Sequence, residues 1–124
     1  MEKKHLVFVY GTLRQNHSNH HLMGDAYFYG VGSTRDKYTM FIKAGYPFVT
    51  SIGSSYPIIG ELYAVDDYTL AVLDKMEGHP RYYTRREITV EVERAEHAAW
   101  MYFRDPQGKI MSSGDYNDAI HNAK

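Results

Sequence analysis

Turn-forming residues interrupt this chain so often that little of it can be long helix. Ten Gly and four Pro are spread through 124 residues, and the runs between them are apolar or alternating and of strand length. Those runs fall at 6–10, 25–32, 37–43, 48–52, 57–65, 82–92 and 98–104. Residues 82–92 alternate β-branched and charged side chains, as a strand with one wet face does. Residues 98–104 are expected to return beside them as a hairpin across 93–97. One stretch reads clearly as a helix. Asp66 or Asp67 caps it, Leu70, Ala71, Leu73 and Met76 lie within it, and Gly78 ends it with Pro80 beyond. A helical turn at 18–23 and a short terminal helix over 117–124 complete the expected elements. The length suits a single domain, 1–124. About six or seven short strands with one clear helix predict an α+β chain, a small mixed β-barrel flanked by one or two helices.

Composition narrows the function. A net charge of −1 argues against general binding to nucleic acid or an anionic membrane. The chain has no Cys, so disulfide and thiolate chemistry are out. No apolar run approaches the length of a membrane span. The charged stretch 1–5 leads straight into a strand, unlike a signal peptide, and a cytoplasmic location is expected. Twelve Tyr suit half-buried strands whose hydroxyls reach a polar rim. There is no GxGxxG, P-loop or GxSxG pattern, so neither a nucleotide site nor a hydrolase elbow is expected. His17, His20 and His21 have a spacing that could join two imidazoles on a helical turn. They lie in a polar, loop-like segment without Cys or an HExxH pattern, so solvated histidines are expected and no metal.

Two places carry candidate chemistry. The apolar run 6–10 stops at Gly11 and passes into Thr12 and Leu13, where backbone N–H groups can turn toward an anion or a polarised carbonyl. Glu77 shares a helix face with Leu70 and Leu73 and sits in the last turn. The negative end of the helix dipole and a core-facing position both raise a carboxyl pKa there, which suits a general base near neutrality. The competing reading pairs Glu77 with Arg81, Arg85 or Arg86 in a structural ion pair. Glu61, mid-strand, is either a second inward acid or an outward strand residue.

Taken together, YGTLR (10–14), GYPF (45–48), GELY (60–63), LDKMEGHPRYYTRR (73–86) and SGDY (113–116) resemble the γ-glutamylcyclotransferase-like superfamily. The likeness is nearest to the small γ-glutamylamine cyclotransferase group and its bacterial relatives, and it spans about residues 5–116. The combination of YGTL with LD-x-x-EG is its specific part. The resemblance implies a β-barrel with flanking helices and a pocket at one end. Tyr10, Gly11, Thr12 and Leu13 would hold a small-molecule substrate through the main chain, and Glu77 would transfer protons. The implied reaction is attack of a γ-glutamyl α-amine on its own side-chain carbonyl, releasing 5-oxoproline and a free amine with no cofactor or metal. Tyr82, Tyr83 and Tyr116 are expected as pocket hydroxyls or as barrel packing, and His79, Arg81 and Asp115 as residues of the leaving-group side. A non-catalytic module binding an amino-acid-like ligand, or an interaction domain using the Tyr-rich surface, are the alternatives. The oligomeric state is left open.

Overall fold

In the computed structural model, which describes residues 2–118, the first apolar run becomes β1 (His5–Val9) and both of its faces are covered. Phe8 and Tyr10 join Leu62, Val90, Met101 and Phe103 in the barrel interior. Val7 and Val9 join Leu13, Met23, Leu70 and Leu73 on the outer side. A strand buried on both faces is apolar at every position rather than at alternate ones, which is why this run does not alternate.

The remaining elements are a 3-10 helix (His20–Met23), β2 (Tyr27–Thr34), β3 (Thr39–Lys43), β4 (Tyr46–Thr50), β5 (Ile59–Val65), α1 (Asp67–Glu77), β6 (Thr84–Val92), β7 (Ala95–Phe103) and β8 (Lys109–Ile110). All eight strands belong to one sheet in the order β1-β5-β2-β6-β7-β4-β3-β8. A parallel contact of β1 with β7 at Val7 and Trp100 closes five of them into a barrel. The other three hang from β7 through a parallel contact between Val49 and Phe103. The barrel is therefore mixed, as expected. The sheet's eighth strand, β8, is two residues long and has no sequence pattern of its own.

Boundaries move where local chemistry is unusual. The β6–β7 turn is two residues, Glu93 and Arg94, with φ of 50° and 69°. Left-handed geometry at both positions matches the twist of a tight hairpin, so β7 begins at Ala95 rather than 98. β2 runs over 27–34 rather than 25–32. β4 starts at Tyr46, and Pro47 lies inside it opposite Ile42. Because β4 meets β7 only at Val49, Pro47 removes no ladder bond on that side.

Helix α1 is held at both ends. Asp66 is the cap, its carboxylate accepting from the Thr69 N–H at 2.8 Å. Gly78 ends the helix at φ 68°, ψ 33°, a left-handed conformation that glycine adopts without a Cβ penalty. Leu70 and Leu73 press the helix onto the outside of the barrel. Residues 116–118 make a helical turn; the rest of the terminal helix expected over 117–124 lies outside the described residues. Among the described residues no helix is long and apolar enough to cross a membrane.

Candidate active site

A cavity of about 420 Å³ opens where the ends of β1, α1 and β7 meet the β3–β4 turn. Tyr10, Gly11, Thr12, Leu13, Glu77 and Tyr83 all line it. Phe8, Phe48 and Met76 supply apolar wall, and Lys43, Arg104, Asn19 and Gln107 supply polar groups.

The loop after β1 is braced through its carbonyls. The Gly11 carbonyl accepts from Arg14 N–H at 3.0 Å and the Thr12 carbonyl from Asn19 N–H at 3.0 Å. The Leu13 carbonyl accepts from Nδ1 of His20 at 2.8 Å, and the Thr12 hydroxyl accepts from the Asn19 amide at 2.9 Å. The N–H groups of Gly11, Thr12 and Leu13 have no acceptor among the described residues. A loop whose acceptors are used and whose donors are free is suited to hold an anion or a carbonyl oxygen. Packing also demands glycine at position 11, since a β-carbon there would fall 2.8 Å from Cγ of Pro47.

Among the described residues Glu77 is the one acid lining this cavity. Burial pushes its carboxyl from an ordinary value of 4.5 up to about 7, against a smaller downward pull from the Arg104 charge. Desolvation thus leads, as the core-facing position implies. The structural ion pair that competed for this residue does not form. Arg85 donates instead to Asp74 at 2.9 Å and stacks on Trp100 at 4.3 Å, while Arg86 lies over Phe103. Asp74 also accepts from the Tyr102 hydroxyl at 2.6 Å, so α1 is clamped to β6 and β7 one turn before Glu77.

The tyrosines divide. Tyr10 donates its hydroxyl to the Tyr102 carbonyl at 2.8 Å and accepts from Val49 N–H at 3.2 Å, so its hydroxyl already has both roles filled. Tyr83 lines the cavity, with its pKa raised by burial and then by the Glu77 charge. Tyr116 is not a lining residue. It is buried in the barrel cluster and donates to the Gly45 carbonyl at 2.6 Å, which holds the β3–β4 turn at the cavity rim. Tyr82 is exposed and lines a separate groove together with Arg81. His79 accepts from Arg85 N–H through Nδ1 at 3.3 Å and does not line the cavity. The loop histidines go separate ways, His17 to Asn117, His20 to Leu13 and His21 to Ser18. Among the described residues no group of three or more His, Asp or Glu could hold a metal ion.

Glu61 is buried but outside the cavity. It lies on the outer face of β5 with Tyr63 and accepts from Gln15 N–H, the Tyr63 hydroxyl and Arg14. Arg14 continues to Asp115 at 2.8 Å. This network ties together the YGTLR, GELY and SGDY segments, and it also accounts for Asp115.

Arg104 is one of the polar cavity residues that sequence reasoning missed, with Lys43, Asn19 and Gln107. A signal for it existed. In β7, Ala99, Met101 and Phe103 face the barrel interior and Trp100 and Tyr102 face the helix side. Period-2 alternation then sends the next residue, Arg104, to the side where α1 ends.

Comparison with known proteins agrees with the resemblance seen in the sequence motifs. A family model described as Gamma-glutamyl cyclotransferase, AIG2-like matches residues 7–118. A Methanocaldococcus jannaschii protein that carries the provisional name gamma-glutamylcyclotransferase is 39% identical over 115 residues, covering 90% of this chain and 95% of that one. Gamma-glutamylaminecyclotransferase A of Danio rerio is 38% identical over 94 residues, 69% of this chain and 58% of its own length. The crystal structure of an AIG2-like protein from Mus musculus matches at a TM-score of 0.77 and 28% identity, over 84% of this chain and 79% of that chain. By that match over residues 7–118 and by those relatives, this chain belongs to the γ-glutamyl cyclotransferase, AIG2-like family.

Proposed function

We propose that the protein cyclises a γ-glutamyl amine or peptide, releasing 5-oxoproline and a free amine, with Glu77 as general base and then general acid. The observation that carries the reading is the shared cavity: Glu77, its carboxyl pushed up to about 7, and the three residues with unused backbone donors line the same space. The substrate amine arrives as an ammonium and must lose a proton before it can attack. Glu77 takes that proton. The amine nitrogen bonds to the γ-carbonyl carbon, and negative charge grows on the carbonyl oxygen. When the carbon–nitrogen bond to the leaving group breaks, Glu77 returns the proton to the departing amine. The ring nitrogen then gives its second proton to Glu77, which passes it to the freed amine, so the amine departs as an ammonium and Glu77 ends ionised as it began.

Because the nucleophile and the carbonyl belong to one molecule, holding the chain folded removes much of the entropic barrier, about 7–11 kcal/mol at best. The apolar walls keep the carboxyl poorly solvated, and this sets its pKa where it can both accept and donate. A donor placed on the developing oxyanion is worth roughly 3–4 kcal/mol. The N–H groups of Gly11, Thr12 and Leu13 are the candidates for that role or for holding the glutamyl carboxylate.

The test is incubation with a panel of γ-glutamyl amines and γ-glutamyl amino acids, following 5-oxoproline. Turnover is expected. Stabilisation of the protein by such compounds without any 5-oxoproline would favour the binding-module reading instead. The pH profile adds a second check. Glu77 must be ionised in the free enzyme to act as base, so kcat/KM is expected to rise with pH through about 7 and then level. A profile flat from pH 5 to 8 rejects Glu77 as the base.

A further inference from the structure

We propose that Asp74 is a positioning residue of this site: acting through Tyr102, it fixes where Glu77 stands relative to the free N–H groups after β1. The inference rests on the cyclotransferase reading above and names the tether that holds the two halves of the site in register. Leu70 and Leu73 keep α1 on the barrel by apolar packing, which is non-directional and leaves a helix free to slide or roll. Direction has to come from polar contacts. Among the described residues, Asp74 is the only side chain in the last two turns of α1 with a hydrogen bond to the sheet. Its Oδ1 accepts from Arg85 Nε on β6 at 2.9 Å and from the Tyr102 hydroxyl on β7 at 2.6 Å. The main-chain bonds at this end, from His79 N–H to the Asp74 carbonyl at 2.9 Å and from Tyr83 N–H to the Glu77 carbonyl at 3.2 Å, close the turn that follows the helix.

Both partners of Asp74 stand on rigid ground. Arg85 lies over Trp100, the residue at which β7 meets β1. Tyr102 is buried, and its carbonyl accepts the Tyr10 hydroxyl at 2.8 Å. Tyr10 is the last residue before Gly11. One residue of β7 therefore holds the acid-bearing helix by its side chain and the donor-bearing loop by its main chain. The reacting amine and the carbonyl oxygen must meet Glu77 and those donors at once, and a misplacement of about 1 Å costs on the order of 10²-fold in rate. Charge agrees with the tether. Burial disfavours the Asp74 carboxylate, but the bonds from Arg85 and Tyr102 outweigh it and hold this carboxyl below its ordinary 3.8, with His79 a further positive influence. Glu77 faces Arg104 and Tyr102 from β7, Tyr10 from the end of β1 and Tyr83 from the segment after the helix, and Lys43 from the end of β3 lines the same cavity. Since burial is what raises the Glu77 carboxyl, a helix end that works loose and admits water must let it fall back.

The experiment compares Asp74→Ala, Asp74→Asn and Tyr102→Phe with Asp66→Ala, which loosens the other end of the same helix. Three quantities are followed: 5-oxoproline release across pH, the titration of the Glu77 carboxyl by carbon-13 NMR, and the melting midpoint. Asp74→Ala should lower kcat by about 10- to 100-fold with KM within about 2-fold of native, because the lost contact acts on the transition state and not on substrate binding. Its Glu77 carboxyl should titrate nearer the ordinary 4.5 than 7, and the rising limb of kcat/KM should move to lower pH with it. Asp74→Asn keeps an acceptor oxygen in place and should lose less. Tyr102→Phe keeps the ring on the cavity wall, should change in the same direction, and should add little to Asp74→Ala, since the tether is already cut. Asp66→Ala should lower the melting midpoint while leaving kcat and the titration at native values. A native kcat in Asp74→Ala, or an equal loss of rate in Asp66→Ala, makes Asp74 an ordinary anchor of the helix and overturns the inference. So does a Glu77 titration unmoved in Asp74→Ala. If Asp74→Ala does not fold, Asp74→Asn and Tyr102→Phe decide by the same readings. Native protein that releases no 5-oxoproline from any member of the panel overturns the cyclotransferase reading, and the titration then tests the hold of Asp74 on Glu77 by itself.

Discussion

Glu77→Gln should lower kcat by about 10³-fold while raising the stability of the fold at alkaline pH. The rate loss follows from removing the group that accepts and returns the proton, a contribution of roughly 10²–10⁴ in such reactions. Orientation of the substrate and the backbone donors remain, so a small residual rate is expected above water. The stability gain has a separate origin. Burial raises the Glu77 carboxyl from 4.5 to about 7 in the folded chain. Between those values the folded state binds more protons than the unfolded one, so this group's contribution falls as pH rises. The variant should therefore melt higher than the native protein at pH 8, by a margin on the order of 1–3 kcal/mol, and the margin should close below pH 4.5. Retention of the native rate would remove Glu77 from the mechanism. An unchanged stability difference between pH 4.5 and 8 would show that the carboxyl is well solvated.

The opposed effects on rate and stability explain why part of this site was legible in the sequence. A carboxylate among Leu70 and Leu73 on a helix face is locally inconsistent, and such inconsistencies collect at functional sites. The cap at Asp66, the stop at Gly78 and the unbroken run of β1 were readable for the opposite reason, since each obeys a local rule. What stayed hidden depends on residues far apart in the chain. The turn at Glu93 and Arg94 has no glycine, and only the twist of the paired strands shows why both residues take positive φ. Glu61 has apolar neighbours on both sides because β5 is buried on both faces, and alternation then carries no information about which face holds the cavity. Tyr116 reaches the site only indirectly, through Gly45 on a turn 71 residues earlier.

Arg14→Met should be the most destabilising single change in the loop after β1, by about 3–5 kcal/mol. The side chains of Arg14 and Glu61 are 5% and 7% exposed, so removing the cation strands a carboxylate where water cannot replace its partner. Two donors to Glu61 survive, the Gln15 N–H at 2.9 Å and the Tyr63 hydroxyl at 2.9 Å. Burial, and then Glu61 itself, raise the Tyr63 pKa, which keeps that hydroxyl protonated and donating. Those bonds soften the loss without neutralising the charge. A fall in melting midpoint on the order of 10–20 °C is expected. Pairing the change with Glu61→Gln should recover much of it, because the double variant leaves no buried charge unpaired. Asp115→Asn should cost far less, since that side chain is 29% exposed and water can solvate what remains. The network also fixes the loop that carries the free N–H groups, for the Arg14 side chain holds Glu61, which in turn accepts from Gln15 N–H just beyond that loop. The folded fraction of Arg14→Met should therefore show a raised KM as well as lower stability. A loss below about 1 kcal/mol, the scale of an exposed ion pair, would mean that water reaches Glu61 and that the loop is held by its own turn alone.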